Sequence, residues 1–231
     1  RVLFRSLKPG HMSRLRSYVK LNARPAFCYT RFIPIESSEK MQYLSKEERR
    51  EAILQAAMRV ALAEGLAAMT VRRIAAEAGV ATGQVHHHFA SGGELKSLAF
   101  VRVIRELLDA DVVGENASWR ERLHSMLGSD DGGLEPYIRL WREAQILASR
   151  DPEINAAYAL TMEMWHQETV AIIRAGAEAN AFTLTDRAEN IAWRLIGLVC
   201  GLDGITILNM PEMDDAAFNK HLDKLISLEL G

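Results

Sequence analysis

Three consecutive histidines, His86, His87 and His88, stand in the stretch "VATGQVHHHFASGGELK" at 80–96. Imidazoles bind zinc or move protons near neutral pH, so a metal centre or a general base is the first chemistry to test. On an α-helix each residue advances by about 100°. With Val85 set toward the core, Phe89 falls on the same side and His88 lies beside them. His87 and Gly83 point the opposite way, and Gln84 and His86 occupy the flanks. The three rings therefore fan over more than half the circumference and cannot converge on one ion. Their i+4 partners are Ala90, Ser91 and Gly92, none of them a ligand, so the helical spacing of a zinc pair is missing. No nucleophile or carboxylate is arranged beside them for acid–base work. Elsewhere the chain has no Ser/His/Asp, Cys/His, phosphate-loop or metal-ligand spacing, so neither an enzyme nor a metal or other cofactor is expected.

The face turned away from Val85 has a different chemistry. Gly83 lets a backbone approach a groove wall, Gln84 can bind adenine through two hydrogen bonds, and His86 and His87 can donate to phosphates. Just upstream, Thr70 and the amides after it form an anion-accepting helix N-terminus. Arg72 and Arg73 follow at once, and the preceding helix carries Arg49 and Arg50. Together these residues read as an interface for double-stranded DNA.

The elements that position them are all helical. "SKEE" (45–48) is a capping box, followed by an apolar stripe of Ile53, Ala56, Ala57, Val60 and Ala61 and by Gly65 at the helix end. Thr70 caps a second, short helix with Ile74 and Ala78 inward, and Gly79 ends it. A third short helix covers about 82–89, and "SGGE" (91–94) is a further capping box opening a helix to about Asp111. Asp151 and Pro152 start a long helix to about Ala177. Asp186 with Glu189 caps an apolar run over 187–209, and a last amphipathic segment covers 214–229. No strand alternation and no internal repeat occurs. The fold class is all-α: an N-terminal three-helix helix-turn-helix domain (41–92) joined to a larger helical-bundle domain for ligand binding and dimerisation (93–231).

Residues 45–100 resemble the N-terminal domain of the TetR family of transcriptional regulators. "TVRRIAAEAGVATGQVHHHFASGGEL" is similar, without a gap, to that family's run of Thr, Ile-Ala, Ala-Gly-Val, a small-residue turn, Gly, aromatic–His–aromatic–Phe and Glu-Leu. The resemblance implies that Thr70 contacts phosphate and that Arg72, Thr82, Gln84, His86 and His87 line the DNA interface with Gly83. His86 and His88 stand where the family usually has Tyr. The turn after Phe89 departs from the family, which often has lysines where this chain has Ala90 and Gly92; Lys96, one turn on, is the candidate to compensate.

The body is read the same way. "AENIAWRLIGLVCGLDGITILNM" (188–210) is apolar around most of its circumference, with small Gly197, Cys200, Gly201 and Gly204, so it is expected to be buried on nearly every side. Together with the final helix it fits an intersubunit four-helix bundle, and the resemblance likewise implies a homodimer through the last two helices (187–229). Trp119, His124, Met126, Tyr137, Trp141, Glu143, Tyr158, Met162, Met164, Trp165 and His166 are either core or the lining of a cavity between helices. The family resemblance implies a small-molecule effector there. Residues 140–168 are distantly similar to the subgroup that includes regulators responding to choline-like compounds. Trp141, Tyr158 and Trp165 with Glu143 or Glu163 then suit an aromatic cage for a cationic or aromatic effector.

Composition frames these readings. The 231 residues are 48% hydrophobic and carry a net charge of −2. Residues 1–40 hold nine Lys/Arg against two acids, +7, while the remainder has 19 bases against 28 acids, −9. That basic leader lacks apolar periodicity. "KPGHM" (8–12) reads as vector-derived and Met41 as a natural start, so the leader is expected to be disordered or foreign to the fold, with a phosphate-attracting arm as the alternative. No apolar run is long enough to span a membrane, and Cys28 and Cys200 form no paired spacing, which points to the cytoplasm. The expected function is a homodimeric repressor released from its operator by the effector. The alternative is a dimeric ligand-binding protein whose DNA binding is weakened or lost.

Overall fold

The computed structural model describes residues 45–110, 113–114, 116–128, 133–208 and 210–231, which fall in one compact unit. The basic leader expected over 1–40 lies outside them. Among the described residues every regular element is helical. Helix α1 (Lys46–Glu64) begins at the expected capping box: the Glu48 amide donates to Ser45 Oγ at 3.2 Å and the Ser45 amide to Glu48 Oε2 at 2.8 Å. Such a cap contributes about 1 kcal/mol. A 3-10 turn over Leu66–Ala68 leads to α2 (Val71–Ala78), capped by Thr70, whose Oγ1 accepts from the Arg73 amide at 3.1 Å. Gly79 closes α2 at φ 66°, ψ 31°, the left-handed geometry that glycine adopts without steric cost. Helix α3 (Thr82–His88) completes the helix-turn-helix.

Helix α4 (Gly92–Leu108) is capped by Ser91, but its Glu94 carboxylate reaches the amide of Ala90 at 2.6 Å, one residue further back than a simple capping box. Then come α5 (Trp119–Met126), α6 (Glu135–Ala148) and α7 (Pro152–Glu178). The last two are α8 (Ala188–Thr206) and α9 (Asp215–Leu230). The expected cap at Asp186 differs in detail. Its carboxylate accepts from the Arg187 amide and is drawn sideways to Arg194 at 2.9 Å, so α8 starts one residue later, at Ala188, and stops at Thr206. Arg194 also grips Glu229 on α9 at 2.5 and 2.7 Å, joining the two helices.

Two apolar clusters hold the chain together. The first packs Ile53, Leu66, Ile74, Val85, Phe89, Leu95 and Phe100 with Leu140 and Ala144 of α6 and Ile154 of α7. The second gathers Leu123, Leu127, Ile173, Ile191, Leu195, Leu222 and Ile226. Helix α7 feeds both, with Ile154 and Ala157 in one and Val170 and Ile173 in the other. Each fully buried Leu, Ile or Phe contributes roughly 1.5–3 kcal/mol relative to exposure. Within the single chain helix α8 is buried on one face. Ile191, Leu195, Ile196 and Val199 are buried, but Trp193, Gly197, Gly201, Gly204 and Ile205 are exposed along the other face.

Candidate nucleic-acid interface and cavity

Val85 and Phe89, 1% and 2% exposed, pin α3 to the first core cluster. That anchoring turns Thr82, Gly83, His86 and His87 to solvent. Nothing stands within 4 Å of a Cβ built at Gly83, so the backbone there is free to approach a partner closely. Gln84 is half-buried, and its Oε1 accepts a long bond, 3.4 Å, from the Ala81 amide; reading a base requires it to leave that cap. Thr70 and Arg72 are exposed beside α3, and Lys96 is half-buried on α4. Arg73 is engaged elsewhere: its guanidinium holds Glu64 at 2.6 Å and Glu77 at 3.1 Å, and Glu77 also takes Arg59 at 3.0 Å.

His88 is half-buried, edge-on to His87 at 5.2 Å, with Nδ1 enclosed and without a hydrogen-bond partner. Burial first, then the positive charges of His87, Lys46, Arg49 and Arg50, pushes its pKa below the ordinary imidazole value. The Arg50 guanidinium lies 4.6 Å from the centroid of Phe89, a cation–π contact that covers the end of α3. The turn that follows is crowded by apolar and acidic groups. A Cβ at Gly92 would lie 3.1 Å from Val71 Cγ2, and one at Gly93 would overlap the carboxylate of Glu153, which accepts from the Ser91 hydroxyl at 3.3 Å. An acid thus sits where the turn would otherwise offer only amides and a hydroxyl.

A cavity of about 1380 Å³ opens in the body. Of the eight residues expected to bind a ligand, Trp119, Tyr137, Trp141 and Trp165 line it, whereas Glu143, Tyr158, Met162 and His166 do not. Helix geometry explains the split, since Trp141 and Glu143 are two residues apart and face opposite ways on α6. Glu143 accepts from the Leu66 amide at 2.6 Å. Tyr158 stands behind Trp141 at 5.3 Å, Met162 packs against the second core cluster, and His166 stacks on Trp193 at 4.2 Å. Glu163 accepts from Gln167 at 3.3 Å on the exposed side of α7. Of the three rings expected to form a cage, Trp141 and Trp165 meet edge-on at 5.5 Å in the wall, while Tyr158 and both proposed glutamates lie outside it.

The cavity's charged centre is a pair that no local signal in the sequence marks, because its members are 61 residues apart. Arg142 donates through Nη2 to Asp203 Oδ1 at 2.6 Å and through Nε to Oδ2 at 3.0 Å, a two-pronged bridge from α6 to α8. Glu135 lies 3.9 Å from the same guanidinium. Cys200, one turn before Asp203, also lines the wall, and burial followed by the Asp203 charge pushes its thiol pKa up, disfavouring thiolate. Burial and the Glu106 charge likewise raise the Tyr137 phenol. The Trp165 indole donates to the Met126 carbonyl at 2.8 Å, which fixes that ring in the wall. Among the described residues no group of three His, Cys, Asp or Glu could hold a metal ion, and no helix is long and apolar enough to cross a membrane.

The sequence profile described as "Bacterial regulatory proteins, tetR family" matches residues 53–95, from the middle of α1 to the first turn of α4. The HTH-type transcriptional repressor KstR2 of Mycobacterium tuberculosis is 33% identical over 160 residues, covering 64% of this chain and 76% of that protein. Among solved structures, a TetR-family transcriptional regulator from Rhodococcus sp. superposes with a TM-score of 0.64 at 24% identity, over 80% of this chain and 100% of that one. A transcriptional regulator from Saccharomonospora viridis, solved in complex with choline, gives 0.62 at 24% identity, over 80% and 98%. Those two likenesses concern the fold; with the profile match on the reading helices and the identity to KstR2, the chain belongs to the TetR family of bacterial transcriptional regulators.

Proposed function

We propose that the protein is a cytoplasmic homodimeric repressor that holds operator DNA with α2 and α3 and lets go when a small molecule fills the cavity. The observation that carries the DNA half is the division of α3: Val85 and Phe89 are buried while Thr82, Gly83, His86 and His87 are exposed beside Thr70 and Arg72. Inserted in a major groove, α3 offers Gln84 to a base edge and the imidazoles to phosphates, with Lys96 reaching the backbone from α4. Two such helices on a dimer read half-sites about one helical turn, roughly 34–36 Å, apart.

The dimer half is supported by the exposed face of α8, where Trp193 is 47% exposed and Cβ positions at Gly197, Gly201 and Gly204 meet nothing. Leu228 of α9 is exposed as well. Backbones can approach closely along such a face, and a large apolar patch on a single chain marks an interaction surface. For the effector, Trp119, Tyr137, Trp141 and Trp165 favour an aromatic or cationic guest. Glu121, Glu135, Asp203 and Asp215 are acids of the cavity lining, and of these Asp203 is already bridged to Arg142. The bound choline of the Saccharomonospora regulator makes quaternary amines the first panel for calorimetric titration, with aromatic acids as the second. Binding only from the second panel removes the cationic option.

Protection mapping on the intergenic DNA flanking the coding sequence tests the whole reading: a protected, two-fold symmetric site is expected. Absence of protection favours the other reading, a dimeric ligand-binding protein with weakened or lost DNA binding. Ala90, Gly92 and the Glu153 carboxylate at the turn after α3 are the observations on that side.

A further inference from the structure

Helix α6 has two working faces. Ile138, Trp141, Arg142 and Gln145 line the cavity. Arg139 and Glu143, four apart and so on one face, turn instead to the end of α1. Arg139 donates to the Leu62 carbonyl at 2.6 Å, and Glu143 Oε2 accepts from the Leu66 amide at 2.6 Å. These two bonds take a carbonyl at the C-terminal end of α1 and the first amide of the 3-10 turn. The fit depends on Gly65, at φ 87°, where any Cβ would overlap the Glu143 carboxylate. Ten residues on, across the short link to α7, Glu153 occupies a second glycine-made socket at Gly93, at the start of α4. The α6–α7 hairpin therefore grips the reading unit at two points, between α1 and α2 and just after α3. On its other side it is clamped to α8 by Arg142 and Asp203.

We propose that Glu143 is a positioning residue: it sets the angle of the helix-turn-helix unit on the body and carries a displacement of the cavity wall to it. The idea rests on the DNA-binding reading above. A short charge-assisted bond to a backbone amide has a narrow range of geometry, so a guest that moves Trp141 and Arg142 must move Leu66 or break the bond. Coupling of this kind is reciprocal, so binding at the reading unit must alter the cavity. Three of the four tryptophans line that cavity, which supplies a readout without knowledge of the natural effector.

The test uses full-length protein and the duplex that the wild type selects from random double-stranded DNA. Titration of wild type with that duplex is expected to change its tryptophan emission. Glu143→Ala is expected to bind the duplex about tenfold more weakly and to show no emission change, while still unfolding cooperatively at a somewhat lower midpoint because the buried Leu66 amide loses its partner. Glu143→Gln, whose amide oxygen still accepts from Leu66, is expected to keep the emission change and to stay within about threefold in affinity. An unchanged response in Glu143→Ala, or a silent wild type that nevertheless binds, overturns the inference. Equal failure of both variants with lowered unfolding midpoints also overturns it, by making the residue merely structural. A wild type that selects no duplex instead brings down the DNA-binding reading itself.

Discussion

Arg142 and Asp203 join α6 to α8 across the cavity wall through two bonds of 2.6 and 3.0 Å, and both side chains are less than a third exposed. Asp203 lies on the helix whose other face, with Trp193, Gly197 and Gly201, is exposed, and Arg142 on the helix that touches α1. The pair therefore ties the middle of the body together at the cavity wall.

Removing one partner breaks both bonds and leaves the other half-buried without them. Arg142→Ala or Asp203→Asn is expected to destabilise the protein by about 1–3 kcal/mol. The double change should cost less than the sum of the two. Denaturant unfolding of the four proteins measures the coupling; additive losses would mean that the bridge contributes nothing.

Gln84→Ala with His87→Ala is expected to abolish operator binding, since each base-edge or phosphate contact is worth roughly 1–3 kcal/mol. Both residues stand outside the core, and Gln84 gives up only the 3.4 Å cap bond to Ala81. The unfolding midpoint should stay close to wild type. Quantitative gel-shift assays beside thermal melts decide the matter, and retained affinity would move the reading surface elsewhere.

His88 should leave a signature in pH. Its folded pKa is pushed below the ordinary 6.5 by burial and by positive neighbours, so between the two values the unfolded chain binds more protons. Stability from this group is complete above about pH 6.5 and is lost as pH falls through the folded value. His88→Tyr, the residue type usual at this position by resemblance, is expected to flatten that limb in thermal melts over pH 4.5–7.5. A difference curve independent of pH would show that His88 does not carry the loss.

Gly201→Arg places a long charged side chain where a Cβ meets nothing within the subunit. The single chain should therefore fold as before, and only association should suffer. Analytical ultracentrifugation is expected to find wild type as a dimer and this variant as a monomer at micromolar concentration. A variant that remains dimeric places the contact off α8.

The sequence showed most of what is local. Ser45 with Glu48, Thr70, Gly79 and Asp151 with Pro152 mark helix ends through bonds spanning two to four residues, and the structure has those ends where they were read. The orientation of α3 followed from its period alone, because Val85 and Phe89 are four apart. What was hidden is long-range. Glu143 looked like a cavity acid because it neighbours Trp141 in sequence, yet two residues on a helix face opposite ways. Its true partner, the Leu66 amide, is 77 residues distant. The Arg142–Asp203 bridge and the Glu153 socket are invisible for the same reason, since no pattern within one helix encodes its neighbour. Asp186 missed the cap because Arg194, anchored on α9, competes for it.

The engagement of Arg73 changes what an operator could gain from it. Positive charges drive DNA association by releasing the cations condensed on phosphates, and each phosphate neutralised steepens the dependence of affinity on salt. With Glu64 and Glu77 already bound to its guanidinium, Arg73 has little net charge to offer, and to reach a phosphate it would first have to break both bridges. Ala90 and Gly92 in place of lysines remove two further cations from the turn after α3. Its hold on DNA should therefore be governed by fit to the groove more than by ionic strength, and binding measured across a salt series should give a shallow line.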